Sequence, residues 1–204
     1  MPDAPGLELI RGEIEQHHPG AVLDTSFDRG QAALIVDPAQ IRAVLGWLRE
    51  APGQEYRFLS SLHAADYLPA TPRFGVHYEL LNRDRVERLR VKAMLEEPRP
   101  AGPVAAGDPP PLPVAKASSG GVPPTTPPAG ETEQLPEIDS CVELFPTAEF
   151  QEREVFDFFG IRFRGHPDLR RILMPDDYVG WPQRRDFPVG GEPVRFTYNE
   201  RNYG

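Results

Sequence analysis

Apolar and polar positions along the first 95 residues switch repeatedly between helical and strand spacing. From Pro5 to His18, Leu7, Ile10 and Ile14 recur at helical spacing while Glu8, Glu13 and Glu15 stay outside, and Pro19-Gly20 ends the run. Ala21 to Phe27 alternates as a strand. Asp28-Arg29-Gly30 is a turn, and Gln31 to Val36 returns as a second strand. Asp37-Pro38-Ala39-Gln40 combines a capping residue, a first-turn proline and a capping-box glutamine. Ile41, Val44, Leu45 and Leu48 then place one apolar stripe on a second helix, which Pro52-Gly53 stops. Three further strands are predicted at Glu55–Leu62, Arg73–Leu81 and Val86–Leu95. In the second, Phe74, Val76, Tyr78 and Leu80 share a face. In the third, Leu89, Val91, Ala93 and Leu95 point inward against Arg88, Arg90 and Lys92. One apolar and one polar face predict an α+β fold: a mainly antiparallel sheet of four to five strands with helices on one face.

The pattern then breaks. Twelve of the forty residues from Glu97 to Pro136 are Pro, and none is aromatic, which reads as a polyproline-rich linker or insertion. Order returns at Ile138. Ser140 to Glu143 carries a capping-box pattern for a short helical turn. A helix follows from Pro146-Thr147, with Thr147 as its cap, and ends at Gly160. On that helix Val155, Phe156, Phe158 and Phe159 share one face, with Glu152 on the same side. Arg153, Glu154 and Asp157 fall on the other. Beyond Gly160, few helix or strand signals remain. The chain thus divides into an N-terminal domain (1–96), a Pro-rich insertion (97–136), a helix completing the domain (137–160) and an extended arm (161–204).

Charge changes the picture of that arm. From Ile161 to Arg185 there are six Arg (162, 164, 170, 171, 184, 185) and three Asp, a net of +3, whereas the whole chain carries −9. With Phe156, Phe158, Phe159, Phe163, Tyr178 and Trp181 nearby, the stretch from Glu152 to Asp186 has the aromatic and Arg composition of an interface and too little apolar surface to fold on itself. The acidic balance disfavours nucleic acid and anionic lipid as main partners. A locally basic arm on an acidic body instead suits an acidic protein surface.

Candidate chemistry is sparse. The single cysteine, Cys141, lies beside Val142 and Leu144 and reads as a buried structural thiol. It cannot form an internal disulfide or a Cys-based metal site, which suits a reducing compartment. The five His show no metal-ligand spacing, and no GxGxxG, GxxxxGK[ST] or GxSxG occurs. The N-terminus has no signal-peptide pattern, and no apolar run approaches the ~20 residues of a membrane span. Glu152, on an apolar helix face, needs a partner, and Arg170 or Arg171 is the expected one. Asp168 is expected to cap the segment from Leu169 to Leu173. The competing reading is a free-standing enzyme using Glu152, His166 and Asp168, although no second reactive group lies beside Glu152 in sequence.

These residues also carry a resemblance. EREVFDFFGIRFRGHPDLRRILMPDD followed by GWPQRRDFPVGG closely resembles the signature of the 30 kDa (C) subunit of respiratory complex I, the proton-pumping NADH:quinone oxidoreductase. Glu152, Arg153, Glu154, Phe159, Gly160, His166, Asp168, Arg170, Arg171, Trp181, Arg185 and Asp186 are the residues it marks as structural or partner-binding. The Pro-rich segment departs from the family, which joins its last long strand to the signature helix by a much shorter connection. The resemblance implies a non-catalytic peripheral-arm subunit that packs against the D subunit of the complex and neighbouring peripheral-arm subunits. FMN and iron–sulfur clusters would sit on other subunits and none on this chain, and no catalytic, cofactor-binding or metal residue is expected here. It would meet the membrane only through the complex, on the cytoplasmic side of the inner membrane, or the matrix side if mitochondrial. Equivalent subunits of membrane-bound hydrogenases and of other-donor dehydrogenases share the superfamily.

Overall fold

A computed structural model describes residues 1–98, 135–176, 178 and 180–187. Most of the Pro-rich insertion and the end of the predicted arm lie outside these residues. The described elements run α1 (Ala4–His17), β1 (Val22–Asp28), β2 (Gln31–Val36), α2 (Ile41–Glu50), β3 (Phe58–Asp66), β4 (Phe74–Asn82), β5 (Glu87–Leu95), β6 (Glu137–Asp139), α3 (Ala148–Phe159) and β7 (Arg162–Arg164).

The fold is α+β, as the hydrophobic pattern predicts. Five strands form one sheet in the order β1-β2-β5-β4-β3. Three of its ladders are antiparallel, but β2 pairs β5 in parallel, with Leu34 opposite Val91 and Val36 opposite Ala93. The parallel ladder follows from the connections. α2 carries the chain back across the sheet, so β3 starts in the same direction as β2. The β3-β4-β5 meander then returns β5 alongside β2. Alternation within a strand specifies its faces but not its neighbours, which is why this pairing is absent from the sequence pattern.

Local signals explain most boundaries. Arg29 and Gly30 both have positive φ (51° and 74°), the left-handed pair that a two-residue hairpin turn requires. Asp3 accepts the Gly6 N–H at the start of α1. Asp37 accepts from Ala39, closing a single tight turn before α2. Two predicted caps have different fates. Ser140 caps the predicted short turn, its Oγ accepting the Val142 amide at 3.3 Å while its hydroxyl donates to Glu152, and the turn closes with the Phe145 amide on the Cys141 carbonyl. Thr147 makes no side-chain cap and instead donates to the Leu59 carbonyl on the edge strand β3, at 3.2 Å.

All three helices lie on one face of the sheet. Leu7, Ile10 and Ile14 of α1, the four-residue stripe of α2, and Ala148, Val155 and Phe159 of α3 share one core with Leu34, Tyr78, Leu80 and Val91. β6 and β7 flank α3 and pair in parallel, forming a small β-α-β unit joined to the same core through Ile138 and Phe163. The start of the predicted arm is therefore a strand. β2, β4 and β5 are paired on both sides, whereas β1 and β3 are edges, so amide hydrogen exchange should be slowest in β2, β4 and β5. Faster exchange there than in β1 would contradict this strand order.

Candidate functional site

Helix α3 buries both of its faces. On the sheet side, Glu152 is fully buried, and its carboxylate accepts the Ser140 hydroxyl at 2.7 Å and the Cys141 amide at 2.8 Å. Burial raises its carboxyl above the ordinary range, and these two donors only partly offset that. The expected ion pair with Arg170 or Arg171 does not form. Those arginines lie across the other face of the helix, roughly 140° away at five residues' separation.

That other face carries the arm. Arg153 and Asp157, on the face opposite the apolar one, are 8% and 0% exposed because the described residues between 169 and 184 cover them. The two sit one helical turn apart and grip one stretch of backbone with opposite polarity. Arg153 donates Nε to the carbonyl of Arg170 (3.2 Å) and Nη2 to that of Arg171 (3.1 Å). Asp157 Oδ2 accepts the amides of Ile172, Leu173 and Met174 at 3.0, 2.7 and 2.9 Å. Its Oδ1 accepts Arg171 Nη1 at 2.9 Å. Burial alone would raise the Asp157 carboxyl. The three amides, Met174 foremost, and the Arg171 guanidinium outweigh it and hold the group below the ordinary range. Asp168, expected to cap the segment from Leu169 to Leu173, instead pairs with Arg170, and the Ile172 and Leu173 amides of that segment go to Asp157. The loop so formed carries Leu173 outward at 60% exposure.

The arm also closes the C-terminal end of α3. Gly160 has φ +69°, and a Cβ there would stand 2.5 Å from the Trp181 ring, so both conformation and contact demand glycine. Trp181 packs edge-on against Phe156 at 5.3 Å, and Arg171 lies over its ring at 4.6 Å. Gln183 donates its amide to the Phe158 carbonyl, and Arg184 donates Nε to that of Phe159 at 2.7 Å, so the last turn's free acceptors meet donors.

A second anchor holds the far end. Arg73, 5% exposed, binds Asp66, Glu97 and Asp186, tying the β3–β4 connection, the end of β5 and the arm together. Arg185 adds its amide to Asp66 at 2.8 Å and Nη1 to the Leu68 carbonyl at 2.6 Å. Asp66 would rise on burial, but Arg73 and the amides of Arg185 and Leu68 lower its carboxyl to about 2. His166 donates Nε2–H to the Glu149 carbonyl and accepts the Asp168 amide at Nδ1. Asp168 pairs with Arg170 on the surface, and Glu154 is exposed. Each of the six arginines from Arg162 to Arg185 has an acceptor within this chain: Glu137, Asp139, Asp168, Asp157, the Phe159 carbonyl and the Leu68 carbonyl, in chain order. The described residues of 161–187 thus fold onto their own domain. Composition of the stretch alone does not show this, because the apolar surface that completes the fold comes from α3.

With that geometry in view, the sequence matches the family described as respiratory-chain NADH dehydrogenase, 30 Kd subunit, over residues 34–105 and 128–193. The chain belongs to this family. The match is interrupted at residues 106–127, inside the Pro-rich segment. The chain is 38% identical over 173 residues to the C subunit of the NADH-quinone oxidoreductase of Herpetosiphon aurantiacus, covering 85% of this chain and 80% of that one. Against the Roseiflexus castenholzii protein of the same name it is 37% identical over 191 residues, covering 94% and 89%. Among solved structures, a chain of the archaeal membrane-bound sulfane sulfur reductase shares the fold, with a TM-score of 0.58 at 20% identity over 94% of this chain and 87% of that one.

The two acids of α3 should behave oppositely. Asp157→Ala leaves Arg171 and three amides without their acceptor and should cost about 3–5 kcal/mol in urea unfolding. Glu152→Gln keeps an acceptor and should cost about 1 kcal/mol or less. The pH dependence separates them further. Asp66 and Asp157 have lowered carboxyls, so their stabilisation is complete above about pH 4 and is lost as pH falls, for Asp66 towards about 2. Glu152 has a raised carboxyl, so its contribution is complete below about pH 4 and declines as pH rises. Glu152→Gln should therefore remove a neutral-pH penalty, and Asp157→Asn should remove an acid-labile stabilisation. Equal effects at both pH extremes would refute the assignment.

Proposed function

We propose that this chain is a non-catalytic core subunit of the peripheral arm of a proton-translocating NADH:quinone oxidoreductase. In this reading it supports assembly, and thereby electron transfer from NADH to quinone, by packing against the D subunit. The supporting observation is how α3 uses its ionisable groups. Arg153 and Asp157 shape a loop that presents Leu173 at the surface. Rigid presentation of an apolar side chain suits a docking contact, because less ordering entropy is lost on binding. FMN and iron–sulfur clusters then belong to the other subunits. The chain associates with the membrane through the complex, on the cytoplasmic side. No described helix is long and apolar enough to cross a bilayer.

The free-standing enzyme reading has less support. Glu152 is sealed in the core, and both ring nitrogens of His166 bond backbone groups. A catalytic acid needs reach to a substrate.

Co-purification with the D subunit is the direct test. Leu173→Asp should reduce association about tenfold or more while leaving the isolated chain's stability within about 0.5 kcal/mol. Undiminished association of this variant would rule out the loop as the contact. A wild-type chain that stays monomeric beside the D subunit would end the reading itself.

A further inference from the structure

The helix-free face of the five-stranded sheet carries a different surface from the α3 loop. Inward residues on β5 are Leu89, Val91, Ala93 and Leu95, so Arg88, Arg90 and Lys92 project from the opposite side. Their cross-strand neighbours there include Leu81, Glu79, His77 and Ile35. Phe58 lies opposite Leu81 on the same face. Ile35, Phe58 and Leu81 are only partly buried.

This face is also built rather than loose. Tyr67 folds back over Gly75, where a Cβ would stand 2.8 Å from its ring, and its hydroxyl bonds His77 Nε2 at 3.0 Å. His63 stacks on His77 at 4.9 Å, and Lys92 Nζ lies 4.2 Å above the Tyr67 ring. The result is a fixed platform with cations on it.

The distribution of unpaired cations points outward. Of the described Arg and Lys residues, only Arg83, Arg88 and Lys92 have neither a carboxylate nor a carbonyl acceptor. Arg88 and Lys92 stand on this face, and Arg83 lies over the Phe58 ring at 4.3 Å. A chain of net charge −9 has many carboxylates available, yet leaves its three unpaired described cations together. Their complement is a set of carboxylates on another molecule. Glu79 and Asp24 interrupt the positive surface, which suits a protein better than a continuous phosphate backbone.

We propose that the helix-free sheet face, centred on Arg88 and Lys92, docks an acidic protein surface of a neighbouring subunit in the same complex. This second contact is separate from the α3 loop, and it rests on the reading of the chain as a member of that complex. The test uses the assembled enzyme, with a benzophenone photo-crosslinking amino acid in place of Arg88. The expected crosslink joins this chain to one other subunit, within an Asp- and Glu-rich segment. The combined variant Arg83→Glu, Arg88→Glu, Lys92→Glu should bind the complex about tenfold more weakly, with a reduced dependence on salt, while Arg11→Glu on α1 should not. Normal incorporation without a crosslink overturns the inference and leaves the parent reading intact. A crosslink to a second copy of this chain or to nucleic acid also overturns it. Failure of the unmodified chain to enter the complex overturns both.

Discussion

A buried carboxylate that stays ionised must be surrounded by donors, and in this fold the donors of Asp157 come from a segment with little regular structure of its own. Three consecutive amides and one guanidinium converge on it. Arg153, one turn earlier, takes the two preceding carbonyls. The backbone from Arg170 to Met174 therefore has its shape dictated by two side chains of α3. Remove either charge and the other end of the loop loses its reference, because buried polar groups left without partners are costly. The rest of the arm depends on this placement. Trp181 reaches Gly160, and Arg184 reaches the end of the helix, only once the chain has turned back over α3.

Much of the fold was legible in the residues. Alternation assigned the inward faces of β4 and β5 correctly, down to Phe74, Val76, Tyr78 and Leu80 on one strand and Leu89 to Leu95 on the next. The stripe of α2 and the glycine end of α3 followed from spacing and from the left-handed conformation at Gly160. The parallel β2–β5 ladder was not legible, since order in a sheet is decided by connections and not by local pattern.

The site was half legible. The Glu152–Asp186 stretch was recognisable from its composition, and Glu152 was correctly expected to be buried and partnered. Its partners come instead from Ser140 and Cys141, at the start of the short turn that Ser140 caps. Asp157 is hidden from sequence reasoning because a helical wheel assigns a polar residue opposite an apolar face to solvent. The wheel carries no information about a second layer, and the arm is that layer. The available signal was the Arg153–Asp157 pair, opposite charges four residues apart beneath a downstream stretch rich in arginine. The arm's positive balance likewise suggested a free basic surface. The arginines from Arg162 to Arg185 are instead taken up by acceptors of this chain, among them Glu137, Asp139 and Asp157.

The central claim is that Asp157 fixes the backbone of residues 172–174 before any partner arrives. Residue-resolved amide exchange on the isolated chain addresses it directly. The account predicts strong protection of the Ile172, Leu173 and Met174 amides, and selective loss of that protection in Asp157→Asn while β4 and β5 remain unchanged. Rapid exchange of these three amides in the unaltered chain, or their undiminished protection in Asp157→Asn, would contradict it.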